Sequence, residues 1–383
     1  LPTRSLTRKS VIMKINRRKF FQRSGCGALL STILANTPDT APAAAPADPA
    51  LAPAPGDKPG CQRLSLKQLE AWENLHFGMF IHFGMSTFVG KELPDGSDPA
   101  AIFAPDKLDV DQWISVARDA GMKYAILTTK HVAGHCLWPS RCTDYTVQNS
   151  ANKTDVVENF VNSCAKHQIK PGFYYCSWDN HHRFGSKTPS DGGWEGMNSF
   201  PRDLTKPLSP FTTSLYQSFQ TAQITELLQN YGPVFEMWID IPGVLGPGYR
   251  TFLYNHIAQL QPETVIMMNS GIGDGTAYNI NYAWPSDLIA IERARPPQAG
   301  HRKWRTIENK EYYLPAEHCD PIGKDWFFVP GDVPRAGAEL QKQYELTRQS
   351  GVNFLLDVPP DTHGRIPQEY IASLMRLRKN LNL

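Results

Sequence analysis

The chain has 383 residues, enough for one large domain or two ordinary ones, with 41% hydrophobic and 11% aromatic content. Its 39 basic and 37 acidic residues nearly cancel, which gives no electrostatic reason to propose nucleic acid or an anionic membrane as partner. Seven cysteines without a CxxC pair argue against a structural zinc site and a disulfide-dense scaffold; Cys136 and Cys142 are close enough in sequence to bridge, and the odd total leaves at least one thiol unpaired within the chain.

The amino terminus reads as a targeting segment. "INRRKFFQRSGCGALLSTILA" sets Arg17-Arg18 ahead of an apolar run from Cys26 to Ala35 that is too short to span a bilayer. This is the layout of a twin-arginine export signal over residues 1–36, and it predicts a periplasmic or extracellular protein; a disordered basic tail is the alternative. Met13 stands as a candidate start, which would make residues 1–12 upstream read-through. Cys26 precedes the apolar run and is poorly placed for lipidation. Residues 37–60 form a Pro/Ala-rich linker that has no means of packing a core. The folded domain is therefore expected over 61–383.

From residue 77, apolar runs of strand length recur: "FGMFIHFG" (77–84), "YAILTTKH" (124–131), "PGFYYCS" (171–177), "VFEMWID" (234–240), "VIMMNS" (265–270), "LIAIERA" (288–294), "EYYLPAE" (311–317) and "VNFLLDV" (352–358). Helical patterns such as "DQWISVARDAG", "VVENFVNSCAKHQ" and "LYQSFQTAQITELLQNYG" separate most of them, and "IPQEYIASLMRLRKN" follows the last. Strands alternating with helices imply parallel pairing through right-handed crossovers. Eight such strands predict an α/β fold, a closed (β/α)₈ TIM-like barrel, as a single catalytic domain. An open doubly wound sheet is the alternative, and it leaves the eighth run unexplained.

Catalytic groups of such barrels sit at the carboxyl ends of the strands. His82, His131, Asp240, Glu292 and Glu317 all stand at or near a predicted strand end. Along "VFEMWID", Glu236, Trp238 and Asp240 share one face and Phe235, Met237 and Ile239 the other, so the polar end belongs to the face away from the helices. Two carboxylates from different strands suit glycoside hydrolysis, and the faces of Trp138, Trp178 and Trp238 suit stacking on a sugar ring. Asp240 read as a mere turn cap, and His82 as a satisfied core histidine, are the plainer alternatives. His131 and His135 lie four apart in "KHVAGH", but no Glu stands between them as HExxH requires, and Gly134 breaks a helix, so no metal site is expected. Neither GxGxxG nor GxxxxGK[ST] follows a strand, and no cofactor is expected.

"HFGMFIHFGMSTFVGKELPDG", "LTTKHVAGHCLWPSRCTDYTV", "YYCSWDNH", "YGPVFEMWID" and "VNFLLDVPPDTHGRIP" resemble, in order, segments of the α-L-fucosidases of glycoside hydrolase family 29, in particular the branch preferring α-1,3/1,4-linked fucose. The resemblance spans roughly residues 61–383. It implies a (β/α)₈-like barrel and a retaining exo-glycosidase acting on terminal α-L-fucose of an oligosaccharide or polysaccharide. It also implies Asp240 as nucleophile, Trp238 beside it, and His82, Glu92, His131 and Tyr174 as sugar contacts. Glu292, which ends the sixth run in phase with Leu288 and Ala290, is the expected acid/base, with Glu317 the runner-up. Val132 stands where relatives carry a second histidine, Asn269-Ser270-Gly271 where an arginine is common, and Ile241 where glycine is usual. The chain ends soon after the eighth strand and its helix, so no carboxyl-terminal β-sandwich is expected; a subsite wall is assigned instead to the loop from Trp178 to Pro210. Another sugar specificity such as an α-galactoside, or a carbohydrate-binding pseudoenzyme, remains open.

Overall fold

The structure, a computed structural model, describes residues 60–182 and 212–383. The export signal, all but the last residue of the linker and most of the Trp178–Pro210 loop lie outside the described residues.

Eight strands form one parallel sheet: β1 (Phe77–Ile81), β2 (Tyr124–Lys130), β3 (Lys170–Cys176), β4 (Glu236–Asp240), β5 (Val265–Met268), β6 (Ile289–Glu292), β9 (Ala316–Pro321) and β10 (Asn353–Asp357). Their order, β5-β4-β3-β2-β1-β10-β9-β6, wraps the sheet into a nearly closed barrel. Strands such as FGMFI and YAILTTK are buried throughout, as strands must be when one face lines a barrel and the other meets helices. The expected helices follow at Val110–Asp119, Val156–His167, Ser214–Asn230, Pro247–Leu260, Gly337–Gln349 and Gln368–Leu381. Asp155 caps the second of these by accepting from the Glu158 N–H, and Lys166 and His167 sit in its last turn against the dipole. Among the described residues no helix is long and apolar enough to cross a membrane.

The seventh strand departs from the sequence reading. "EYYLPAE" is not one strand. Residues 310–313 (β8) pair antiparallel with Trp304–Ile307 (β7) as a hairpin outside the barrel, and the barrel strand begins at Ala316. The turn of that hairpin places Glu308 and Asn309 at φ 49° and 63°, the paired positive values of a tight hairpin. Glu317 is consequently the second residue of β9 and sits low in the barrel, not on its rim.

The barrel closes without a ladder between β5 and β6. Side chains replace it: Ser286 Oγ accepts from the Met268 N–H at 3.0 Å, and Asp287 Oδ2 from the Ile266 N–H at 2.9 Å. The Asp287 N–H in turn donates to the Ile266 carbonyl at 2.8 Å. Asp287 is held by Arg63 Nη2 at 2.6 Å and by the Tyr254 hydroxyl, so an arginine just past the linker staples the seam. Asp287→Ala strands a buried guanidinium and an unpaired strand N–H, and should destabilise the domain by about 3–5 kcal/mol. Arg365→Ala, at a half-exposed pair with Asp109, should cost no more than about 1 kcal/mol. Denaturant midpoints of the two variants check this, and equal losses would refute the staple.

Candidate active site

The site follows from which strand residues face inward. On β4 the register pairs Trp238 with Tyr174 of β3 and Asp240 with Cys176, so Glu236, Trp238 and Asp240 climb the inner wall. β2 would deliver the wrong residue if it were regular. A register shift between Thr128 and Lys130 inserts one extra residue, a β-bulge, and reverses the phase above it. Lys130 thus turns outward into a buried pair with Asp179 at 2.6 Å, and His131 turns into the barrel mouth.

At that mouth lies a cavity of about 230 Å³, on the scale of one sugar ring. His82, Glu92, His131, Tyr174, Trp238, Asp240 and Glu292 all line it, so the structure brings seven of the expected residues together. Three do not join them. Trp138 is buried against the helical layer, its Nε1 donating to Glu226 Oε2 at 3.0 Å. Trp178 donates to Asn180 Oδ1 at 2.7 Å and is likewise buried away from the cavity. Both indoles are spent on local polar partners, so neither presents a face to a sugar. Glu317 lies fully enclosed below the cavity, where it accepts from Tyr124 and Trp238.

Asp240 and Glu292 are joined by a residue that no motif announced. Asn269 Nδ2 donates to Asp240 Oδ1 at 2.7 Å and to Glu292 Oε2 at 2.9 Å. Because one nitrogen touches both, the two oxygens are separated by at most those two bonds end to end. The Tyr174 hydroxyl donates to the other Asp240 oxygen at 2.7 Å. Burial, then the Asp240 charge, raises the Glu292 carboxyl to about 7, the value of an acid that holds its proton near neutrality. Directly after each acid the backbone turns left-handed, with φ 49° at both Ile241 and Arg293. Ile241 is a β-branched residue in a conformation that favours glycine, and such strain gathers at functional sites.

Around the acids, His82 shares a 2.8 Å hydrogen bond through Nδ1 with Asp357, the last residue of β10. Burial holds the His82 imidazole neutral, down to about 3, and Nε2 is the nitrogen left for a ligand. Asp357 carried the same strand-terminal signal as Asp240 but went unread. Burial also lowers His131, whose Nδ1 finds no hydrogen-bond partner among the described residues, and raises Glu92. Phe80, Leu93, Val132, Ile241, Ile272 and Trp326 add apolar surface to the wall, alongside Tyr282 and Cys319. Trp326 comes from the loop after β9, with the Arg293 guanidinium 4.8 Å over its ring. Cys136 and Cys142, close enough in sequence to bridge, are both free thiols.

A parallel barrel with two linked carboxyls at the carboxyl ends of its strands is an arrangement that glycoside hydrolysis can use. The family model of the α-L-fucosidases matches residues 95–383, and the chain belongs to that family. It is 31% identical over 328 residues to alpha-L-fucosidase 1 of Arabidopsis thaliana, covering 81% of this chain and 58% of the relative. The chain thus spans under two thirds of that relative's length. Alpha-L-fucosidase isoenzyme 1 of Paenibacillus thiaminolyticus superposes with a TM-score of 0.67 at 25% identity, over 82% of this chain and 75% of that one. AlfC of Lactobacillus casei, solved in complex with α-L-fucose product, shares the fold at a TM-score of 0.63 and 22% identity, over 82% and 98% of the two chains.

Asn269 lowers the Glu292 carboxyl by its hydrogen bond. Asn269→Ala should therefore move the basic limb of the kcat/KM profile upward from about 7, and cut kcat/KM about 10- to 100-fold by removing a charge-assisted bond. A pH–rate profile decides; an unmoved limb would contradict the bridge.

Proposed function

We propose that the chain is an exo-acting retaining α-L-fucosidase. The observation that carries this reading is the Asn269 bridge, which ties Asp240 and Glu292 together at one cavity, the kind of close carboxyl pair that a covalent glycosyl-enzyme route needs. Glu292, protonated, gives its proton to the glycosidic oxygen while an Asp240 oxygen attacks the anomeric carbon. The C–O bond to the leaving group breaks, and an Asp240–sugar ester forms. Glu292, now a carboxylate, takes a proton from water, and the hydroxide displaces Asp240 with the anomeric configuration restored.

The enclosed cavity suits one terminal residue, and the substrate is accordingly a non-reducing-end sugar of an oligosaccharide or polysaccharide. His82, His131 and Glu92 are the hydroxyl partners. Phe80 and Trp326 offer apolar surface to a sugar bearing a methyl group where others bear a hydroxymethyl, which favours fucose over galactose. Val132 favours a second reading at one position. An apolar side chain there leaves one hydroxyl without a partner, and discrimination against sugars differing at that hydroxyl falls. A panel of aryl α- and β-glycosides separates these readings: α-L-fucoside turns over fastest, whereas a faster α-galactoside would overturn the fucose assignment. Binding with no turnover of any member would indicate a pseudoenzyme.

Asp240→Ala should lose at least about 10³-fold in kcat and regain part of it with added azide, an outside nucleophile. Because the Glu292 carboxyl is raised to about 7, its proton is present below that pH and lost above it. Wild-type kcat/KM should hold on the acid side and fall as pH rises through about 7, and Glu292→Gln should lack this limb. Full activity of Asp240→Ala without azide would exclude the mechanism. Export rests on Arg17-Arg18 and the apolar run behind them. Changing both arginines to lysine should retain the protein in the cytoplasm on cell fractionation, and an unchanged distribution would refute the twin-arginine route.

A further inference from the structure

Below the sugar cavity, on the inner faces of β4 and β9, Glu236 and Glu317 are both fully enclosed, at 0% exposure. Glu236 Oε2 accepts from Trp72 Nε1 at 2.9 Å. Glu317 accepts from the Tyr124 hydroxyl at 2.6 Å and from Trp238 Nε1 at 3.0 Å. Among the described residues Glu236 Oε1 meets no hydrogen-bond donor, and the neighbouring Glu317 charge adds to the cost of ionising Glu236. A carboxylate only accepts, so two neighbouring carboxyls can bond only with a proton on one of them. The groups facing the pair are Trp72, Tyr124 and Trp238, with a further acid, Asp287, beyond. Among the described residues neither carboxyl has a cationic partner, and two bare charges in that setting are prohibitively expensive. Burial accordingly raises both, Glu236 well above the carboxylate range and Glu317 to about 7.

We propose that Glu236 and Glu317 hold one proton between them and that the pair is a positioning device for Trp238, the floor of the cavity. Trp238 packs edge-on against Phe80 at 5.3 Å and nearly parallel to Tyr174 at 5.8 Å. Tyr174 in turn donates to Asp240. The acceptor on Glu317 fixes the rotation of the indole, the indole fixes the tyrosine, and the tyrosine addresses the nucleophile. The shared proton is what keeps Glu317 an acceptor toward Trp238 without leaving a second buried charge on Glu236. Glu236 and Glu317 touch no substrate; they act through Trp238.

The proposal rests on reading the cavity as a sugar pocket, and its test has one arm that needs no turnover. Infrared difference spectra at neutral pH, wild type minus variant, should show a protonated-carboxyl band lost in Glu236→Gln and in the near-isosteric Glu317→Gln, while the contribution of Glu292 cancels. In the kinetic arm, Glu236→Gln keeps a hydrogen to donate to Glu317 and should stay within about threefold of wild-type kcat/KM. Glu317→Leu leaves the indole N–H unpaired and should lose about 10- to 100-fold. In a Trp238→Phe background, which has no N–H to orient, the same change should cost less than about threefold. No carboxyl band lost in either glutamine variant overturns the shared proton. An equal kcat/KM cost of Glu317→Leu in both backgrounds overturns the action through Trp238. A wild type that hydrolyses no fucoside, with the infrared difference present, would instead fault the sugar reading and leave the acid pair standing.

Discussion

The two-residue period of one strand governs the centre of this molecule. Glu236, Trp238 and Asp240 occupy successive inward positions of β4, and alternation permits nothing else once Met237 and Ile239 face the helices. The same strand therefore sets a dry acid at the barrel's base, an indole above it and a second carboxyl at its mouth. Glu236 and Asp240 are both acids, but their depth separates their roles. The deep one receives a single donor, the Trp72 indole; the upper one receives two, Tyr174 and Asn269, on its two oxygens.

Neighbouring strands adapt to that period. The bulge in β2 is the clearest case, because a single extra residue exchanges which of Lys130 and His131 enters the cavity. A lysine there would bring a cation beside Asp240 and Glu292 and favour the ionised form of both. Turned outward, Lys130 instead anchors Asp179 and packs 4.3 Å over the Tyr175 ring. Asn269 completes the arrangement from β5 with a neutral donor. It couples the two carboxyls without neutralising either, so the burial of Glu292 and the charge of Asp240 remain free to raise the acid's affinity for its proton.

Much of this was legible from residue order alone. Apolar runs of strand length between helical periods give the barrel, and acids closing such runs mark the rim at Asp240 and Glu292. The failures have physical causes. Glu317 was misplaced because "EYYLPAE" reads as one strand, and the break between hairpin and barrel depends on a turn with Glu308 at positive φ, a residue type that seldom signals one. The β2 bulge has no compositional mark, and strict alternation would have sent Lys130 rather than His131 to the cavity. Asn269 is an amide with many ordinary roles, and only its two simultaneous hydrogen bonds reveal it. Trp138 and Trp178 were chosen for their aromatic faces, yet indole N–H groups seek acceptors when buried, and Glu226 and Asn180 draw them away from the cavity.

The separation of Asp240 and Glu292 into nucleophile and proton donor is the claim on which the catalytic account stands. Trapping with a slow fluorinated fucosyl substrate, followed by mass spectrometry of proteolytic peptides, tests it most directly. The account predicts one fucosyl ester, on Asp240, accumulating faster than it hydrolyses. A label on Glu292, or steady turnover with inverted product and no label on any carboxyl, would contradict it.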